Sequence, residues 1–349
     1  MDDWGRLVAL LASLGATAEE VEAAADAGTL GPLALDVALR GDGPSEPIGA
    51  VAERNNMPVE TVARYWRAMG FADADPATVM LPADAADALA LVGTLGRELL
   101  GEDGTVALAR VLGLSTSRLA QAVVDAFRAR FEAPQLAAGA SYPDVVADYV
   151  RLARDALPPF VDAMGAILRR HLVSVAGGSW SSDFESTATR RHVAIGFIDL
   201  VGYTALSRTL QPSELGRLIS DFEDVVTDAS AVHRSRVVKL LGDAVMFAAD
   251  DAASACATAL GIVEAAAAAS LPPLRGGLAL GEAVAVHGDL FGDVVNLAAR
   301  LVAVAPEGVV LADEAVHAAG AEGIGFTPLA PQRLKGFDSP AIAYALRRR

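Results

Sequence analysis

Apolar residues in the first 140 positions recur at helical spacing. Leu7-Val8-Leu10-Leu11-Leu14 and Val106-Leu108-Ala109-Val111-Leu112 each trace one face of a 3.6-residue repeat, which predicts helix after helix and few strands. Glycines at 28, 41–43 and 101–104 are predicted to separate those helices. Thr17 followed by Glu20 predicts a capping box at a helix start. Residues 142–176 predict two helical pieces, 142–157 and 160–175, kinked or broken at Pro158-Pro159. A proline removes an amide donor and crowds the preceding turn. Gly177-Gly178-Ser179 and the polar run 181–191 then predict a flexible linker.

Beyond residue 190 the pattern changes to strands alternating with helices. The apolar run 192–200 suits a buried strand. Helices are predicted over 212–233, 250–269 and 294–304. Strands are predicted over 278–286, 309–311, 325–327 and 342–346. Residues 237–241 and 244–248 flank Gly242-Asp243, a hairpin signal. The fold class is α+β: an all-helical domain over 1–140, a helical switch segment over 141–190, and an α+β domain over 191–349.

Length and composition sharpen this picture. A chain of 349 residues with 53% hydrophobic content is expected to fold as two domains with real cores. Charges at Arg169, Arg170 and His171 interrupt the one long apolar stretch near residue 165, so no transmembrane helix is expected. The acidic Met-Asp-Asp start lacks the basic region of a signal peptide. The single cysteine, Cys256, excludes an internal disulfide and reads as a small buried thiol. These features predict a cytoplasmic protein. Residues 1–150 hold 22 acidic and 10 basic side chains, a surplus of 12 negative charges that repels phosphate backbones.

Three local features point to chemistry. Asp199 ends the apolar strand, where a carboxylate is costly unless paired or metal-bound, and the turn through Gly202, Tyr203 and Thr204 offers amides to an anion. Asp243 sits at a hairpin tip with Lys239 four residues earlier. Asn296 and Arg300 share one face of a predicted helix. Two carboxylates at loop tips, a phosphate-cradling turn and a placed arginine suit metal-assisted phosphoryl or nucleotidyl transfer. Each feature alone has a plainer structural explanation.

Together they resemble the class III adenylate and guanylate cyclases. The segments are FIDLVGYT (197–204), VVKLLGDAVM (237–246), GDLFGDVVNLAAR (288–300) and RLKGF (333–337), in that family's order and spacing. The resemblance implies a ferredoxin-like catalytic domain in which Asp199, Asp243 and the Leu200 carbonyl hold two Mg²⁺ or Mn²⁺ ions. It implies that Asn296 orients the ribose, Arg300 neutralises the transition state and Lys335 contacts the outer phosphates. It further implies that Lys239 and Asp289 read the purine of ATP, with sites shared across a homodimer. A lysine donor suits adenine N1 and an aspartate acceptor suits the N6 amino group, whereas guanine reverses that polarity. A guanylate cyclase is disfavoured for this reason.

The N-terminal half admits several readings. Residues 48–71, and to a lesser degree 106–127, have the look of helix–turn–helix units, with Arg54, Arg64 and Arg67 as candidate DNA contacts. A DNA-binding regulator with a nucleotide-sensing, non-catalytic domain is the alternative, and the acidic surplus favours packed helix pairs without DNA. The layout resembles mycobacterial autoinhibited, pH-responsive cyclases. That implies a regulatory role for the helical domain, with His171 and His192 as candidate pH sensors, or with a lipid-like ligand in the helical core.

Overall fold

The structure, a computed structural model, describes residues 2–40, 43–71, 80–179 and 190–349, the side chains of 177–179 excepted. Of the linker expected over 177–179 and 181–191, residues 177–179 instead continue the helix that runs to Ser179, and the rest lies almost entirely outside the described residues. By internal contacts the chain divides into two units, Met1–Ser181 and Ser182–Arg349.

The first unit is helical. Its elements are α1 (Asp3–Leu14), α2 (Ala18–Asp26), α3 (Leu30–Leu39), α4 (Ile48–Arg54), α5 (Val59–Ala68), α6 (Ala83–Phe127), α7 (Ala133–Ala137) and α8 (Tyr142–Ser179). Strands β1 (Glu46–Pro47) and β2 (Met80–Leu81) form one short antiparallel pair. Helix α1 starts where the Asp2 carboxylate accepts from the Gly5 amide at 2.9 Å and ends at Gly15 in the left-handed region. The expected capping box is present: the Thr17 amide donates to Glu20 Oε2 at 2.7 Å, and the Glu20 amide donates to Thr17 Oγ1 at 3.2 Å. The Arg40 guanidinium, 2.6 Å from Glu20, holds that carboxyl down at about 2.

Two expectations change here, while the break expected among the glycines at 101–104 falls at Gly101, whose φ of 70° and ψ of 176° divide α6 into two helical runs. Residues 106–127 are one helical run, not a helix–turn–helix. Helix α8 is likewise continuous across Pro158 and Pro159, with no break into two pieces. Arg154 and Asp155, whose carbonyls lose their helical donors to the prolines, lie on an exposed stretch where water replaces those donors. Helices α4 and α5 do form the expected pair around buried Val51, Met57 and Val62. Two of the three candidate arginines are engaged with acids, however: Arg54 with Glu46 and Asp87, Arg64 with Glu102 and Asp103.

The second unit carries β3 (Arg190–Leu200), α9 (Tyr203–Leu206), α10 (Pro212–Val232), β4 (Arg236–Leu240), β5 (Ala244–Ala249), α11 (Ala252–Ala268) and β6 (Leu274–Val286). It continues through β7 (Asp289–Phe291), α12 (Asp293–Val304), β8 (Val310–Ala312), α13 (Glu314–Ala319), β9 (Ile324–Pro328) and β10 (Tyr344–Arg348). The sheet order is β4-β5-β3-β6-β8-β10-β9, with β7 paired to β6. Its first four strands and helices α10 and α11 make the ferredoxin-like β-α-β-β-α-β arrangement, all antiparallel. The β6–β8 pairing is parallel, so the whole sheet is mixed. Strand β3 reads as a nearly continuous apolar run from Val193 because both its faces are covered. Ala194, Ile198 and Leu200 face the α10–α11 core, while Val193 and Ile195 face the α12 side.

Asp313 is buried at 8% exposure, where it caps α13 and tethers it to β6. Its Oδ1 accepts from the Val316 amide at 2.8 Å and its Oδ2 from the Leu280 amide at 3.3 Å. Burial pushes this carboxyl up to about 6. The folded pKa exceeds the unfolded one, so the folded state binds the proton more tightly, and this group's contribution to stability falls as pH rises from about 4 to about 6. The loss is up to about 3 kcal/mol. Thermal melts across that window are expected to slope downward for the wild type and to lack that slope for Asp313→Asn.

Candidate active site

Strand pairing builds the first cluster. Asp199 lies opposite Ala244 of β5 and opposite Arg275 of β6. Both Nε and Nη2 of Arg275 donate to Asp199 Oδ2, at 2.9 and 2.7 Å. Asp243 follows Gly242 in the β4–β5 turn, and its carbonyl accepts from the Leu200 amide at 2.9 Å. That bond locks the hairpin tip to the end of β3. Burial raises the Asp243 carboxyl, the negative charge of Asp199 raises it further, and Arg275 opposes the rise. Two carboxylates thus share one field, partly balanced by a guanidinium. Arg275 is absent from the sequence-based set. Its only signal was a charge at the head of the apolar strand Leu274-Arg275-Gly276-Gly277-Leu278.

The donor set fits hard divalent cations. Magnesium takes one or two carboxylates and completes its shell with substrate phosphates and water, so Asp199, Asp243 and the Leu200 carbonyl suffice. Among the described residues no cluster of three or more acidic, His or Cys side chains forms a self-sufficient metal cage. Mutual repulsion between Asp199 and Asp243 is the strain that a cation would relieve.

Next to this pair the chain turns at Gly202, whose φ of 76° favours glycine. The Val201 amide donates to the Pro273 carbonyl at 2.8 Å. The amides of Gly202, Tyr203 and Thr204 have no backbone acceptor among the described residues. Thr204 is exposed, whereas the Tyr203 ring packs against the α10–α11 core.

A second cluster joins β4 to β7. Lys239 Nζ lies 2.6 Å from Asp289 Oδ2, and the same nitrogen sits 5.9 Å from the centre of the Phe291 ring. The second carboxylate oxygen of Asp289 accepts from the Leu290 amide at 2.8 Å. A register shift between Val237 and Lys239 turns Lys239 toward β7. Sequence spacing could not anticipate Phe291, an exposed ring beside the lysine.

The third group is on α12, where Asn296 and Arg300 are both exposed on one face. This helix lies directly on β6 because Gly277 has no side chain: a Cβ there would sit 2.3 Å from the Ala298 carbonyl oxygen and 2.7 Å from the Val302 nitrogen. Gly277→Ala must therefore lift α12. It is expected to destabilise the fold by about 1–3 kcal/mol. Thermal melts should register that loss, and turnover should fall more than substrate affinity. Lys335 is exposed in a turn closed by the Phe337 amide donating to the Leu334 carbonyl at 3.1 Å, with Leu334 buried beneath. No hydrogen bond or ion pair among the described residues links the Asp199–Asp243–Arg275 cluster to Lys239–Asp289, to Asn296 and Arg300, or to Lys335.

Comparison with known proteins adds to this geometry. Residues 186–348 match the family model of the adenylate and guanylate cyclase catalytic domain. An adenylate cyclase of Streptomyces coelicolor is 38% identical over 258 residues, 74% of this chain and 67% of that protein. An uncharacterized protein of Mycobacterium tuberculosis is 34% identical over 348 residues, 97% of this chain and 89% of its own length. A pH-sensitive adenylate cyclase of Mycobacterium tuberculosis is 30% identical over 361 residues, covering 98% of this chain and 87% of that protein.

Proposed function

The chain belongs to the adenylate and guanylate cyclase family, and on that premise we propose that two copies together convert ATP to 3′,5′-cyclic AMP and pyrophosphate. The observation that carries this reading is the convergence of Asp199 and Asp243, locked by the Leu200–Asp243 backbone bond at 2.9 Å. Asp199, Asp243 and the Leu200 carbonyl would hold two Mg²⁺ or Mn²⁺ ions, which would lower the pKa of the ribose 3′-hydroxyl and offset charge on the triphosphate. The 3′-hydroxyl gives its proton to water, its oxygen bonds to the α-phosphorus, the bond from that phosphorus to the bridging oxygen breaks, and pyrophosphate leaves. Arg275 balances Asp199 until substrate arrives. The open amides at Gly202, Tyr203 and Thr204 face the phosphates, and Lys335 grips the outer ones. Asn296 orients the ribose, and Arg300 neutralises charge growing on the α-phosphate.

Lys239 and Asp289 select adenine. Their 2.6 Å contact presents a donor and an acceptor side by side, matching adenine N1 and the N6 amino group. No hydrogen bond or ion pair among the described residues joins Asn296 or Arg300 to Asp199 and Asp243 within one chain, which supports a homodimer whose twofold partner supplies the purine pair, Asn296 and Arg300 to each pair of acids. Incubation with Mn²⁺ and either ATP or GTP, followed by detection of cyclic product, tests the proposal. Cyclic AMP from ATP is expected. Folded protein that yields no cyclic nucleotide from either substrate overturns it.

The helical unit is proposed to regulate catalysis, through pH or a lipid-like ligand. Both His171 and His192 are exposed and accessible to protons. Comparing the pH–rate profile of the full chain with that of the catalytic unit tests the pH branch, and identical profiles remove the helical unit from pH sensing.

A further inference from the structure

The catalytic unit holds a cavity of about 480 Å³ between β6, the first turns of α12 and the turn at Phe337. Leu280, Val294, Leu297 and Phe337 give it an apolar lining. None of the residues given a role in the proposed reaction lines it. A largely apolar hollow of this size with a few convergent polar groups is the usual form of a small-molecule site.

The polar groups say which charge it takes. Glu282 and Arg190 pair with each other at 3.4 Å with both side chains exposed, so they offset one another in solvent. Two carboxylates remain. The Asp293 side chain has no hydrogen bond or ion pair among the described residues, and its place in the first turn of α12 favours the ionised form. Asp313 is more than nine-tenths buried. Each of its oxygens meets one backbone amide, from Val316 and from Leu280, and neither meets a cation. Amide dipoles alone leave a buried carboxylate short of the solvation it had in water. An anionic guest would face two like charges, and a neutral guest would leave Asp313 without a counter-charge. Among the described residues no group of three or more acidic, His or Cys side chains is close enough for a metal ion, so an organic cation fits better than a bare one.

The geometry points to a binding site for a small organic ammonium ion, its charge set against Asp313 and Asp293 and its apolar body against Leu280, Leu297 and Phe337. The chain's surplus of 16 negative charges draws such a cation toward it. The site does not depend on the roles proposed for the catalytic residues.

Titration of the full chain with 2-phenylethylammonium chloride, followed by ligand-detected NMR, tests this. Saturable binding with a Kd of about 1 mM or tighter is expected at neutral pH, with the neutral analogue 2-phenylethanol weaker by about tenfold or more. The Asp313 carboxyl loses its proton at about pH 6, whereas the amine keeps its own, so affinity for the ammonium is expected to fall by about tenfold from pH 7 to pH 5. Glu314, next to Asp313 on α13, and Asp293, Glu282 and Arg190 around the cavity are the other charged groups facing it. Asp313→Asn is expected to lose both the preference for ammonium over alcohol and the pH dependence. Leu297→Trp fills the apolar side of the cavity and is expected to weaken both probes alike, and it carries the test if Asp313→Asn does not fold. Absence of saturable binding up to about 10 mM overturns the site. Equal affinity for the alcohol, an unchanged preference in folded Asp313→Asn protein, or unchanged affinity in folded Leu297→Trp protein does the same. Spermidine binding as tightly as the phenylethyl probe would mean that surface charge alone attracts cations, which also overturns it.

Discussion

Asp243→Ala and Arg300→Ala proteins are each expected to lose activity by about 10²–10³-fold or more, yet a 1:1 mixture is expected to recover about a quarter of wild-type activity. The losses follow from what each side chain does. Among the described residues Asp243 is one of two carboxylates at the end of β3, and on the proposed mechanism removing it leaves too few donors for paired cations. On the same mechanism Arg300 supplies fixed positive charge where negative charge grows. The recovery follows from geometry: random exchange makes half of the dimers mixed, and each mixed dimer has one intact site of two. Steady-state turnover before and after mixing, under conditions of proven exchange, checks this. Mixed protein that stays inactive places all site residues in one chain and rejects the shared arrangement.

Lys239→Glu is expected to lower kcat/KM for ATP by about 10²–10³-fold and to shift the ATP-to-GTP ratio toward GTP by at least as much. The substitution replaces a donor at the purine edge with an acceptor. Adenine N1 then faces a lone pair, whereas guanine offers its N1–H. The new carboxylate also lies beside Asp289, in place of an ammonium 2.6 Å away, so the two acids repel. Kinetics with both nucleotides over a range of pH check it. An unchanged ratio would mean that this pair serves the fold of the β4–β7 contact instead of base selection.

How legible the molecule is in its sequence depends on whether a feature is local. Strand β3 was readable because burial on both faces turns Val193 to Leu200 into an apolar run broken only by Gly196 and Asp199. The Gly242-Asp243 hairpin and the Thr17–Glu20 cap were readable because each is written within a few residues. Helix α8 was misread as two pieces. The penalty for Pro158 and Pro159 was weighed without knowing that the carbonyls they strand lie on an exposed stretch. The break within α6 was readable from its glycines, and the structure narrows it to Gly101 alone. Arg275 escaped because its pairing with Asp199 depends on the register of two strands 76 residues apart. The site motifs stood out through their order along the chain, while their grouping into separate clusters was a property of the folded sheet.

Strand β6 has a consequence that reaches across the catalytic unit. Near its start it presents Arg275 to Asp199, two residues later Gly277 forms the floor under α12, and at its far end it turns into the hairpin bearing Asp289. One ribbon is thus in mechanical series with three parts of the proposed site, and twisting it loads all of them together. Substitutions along its length should accordingly give non-additive kinetic effects even where the altered side chains never touch.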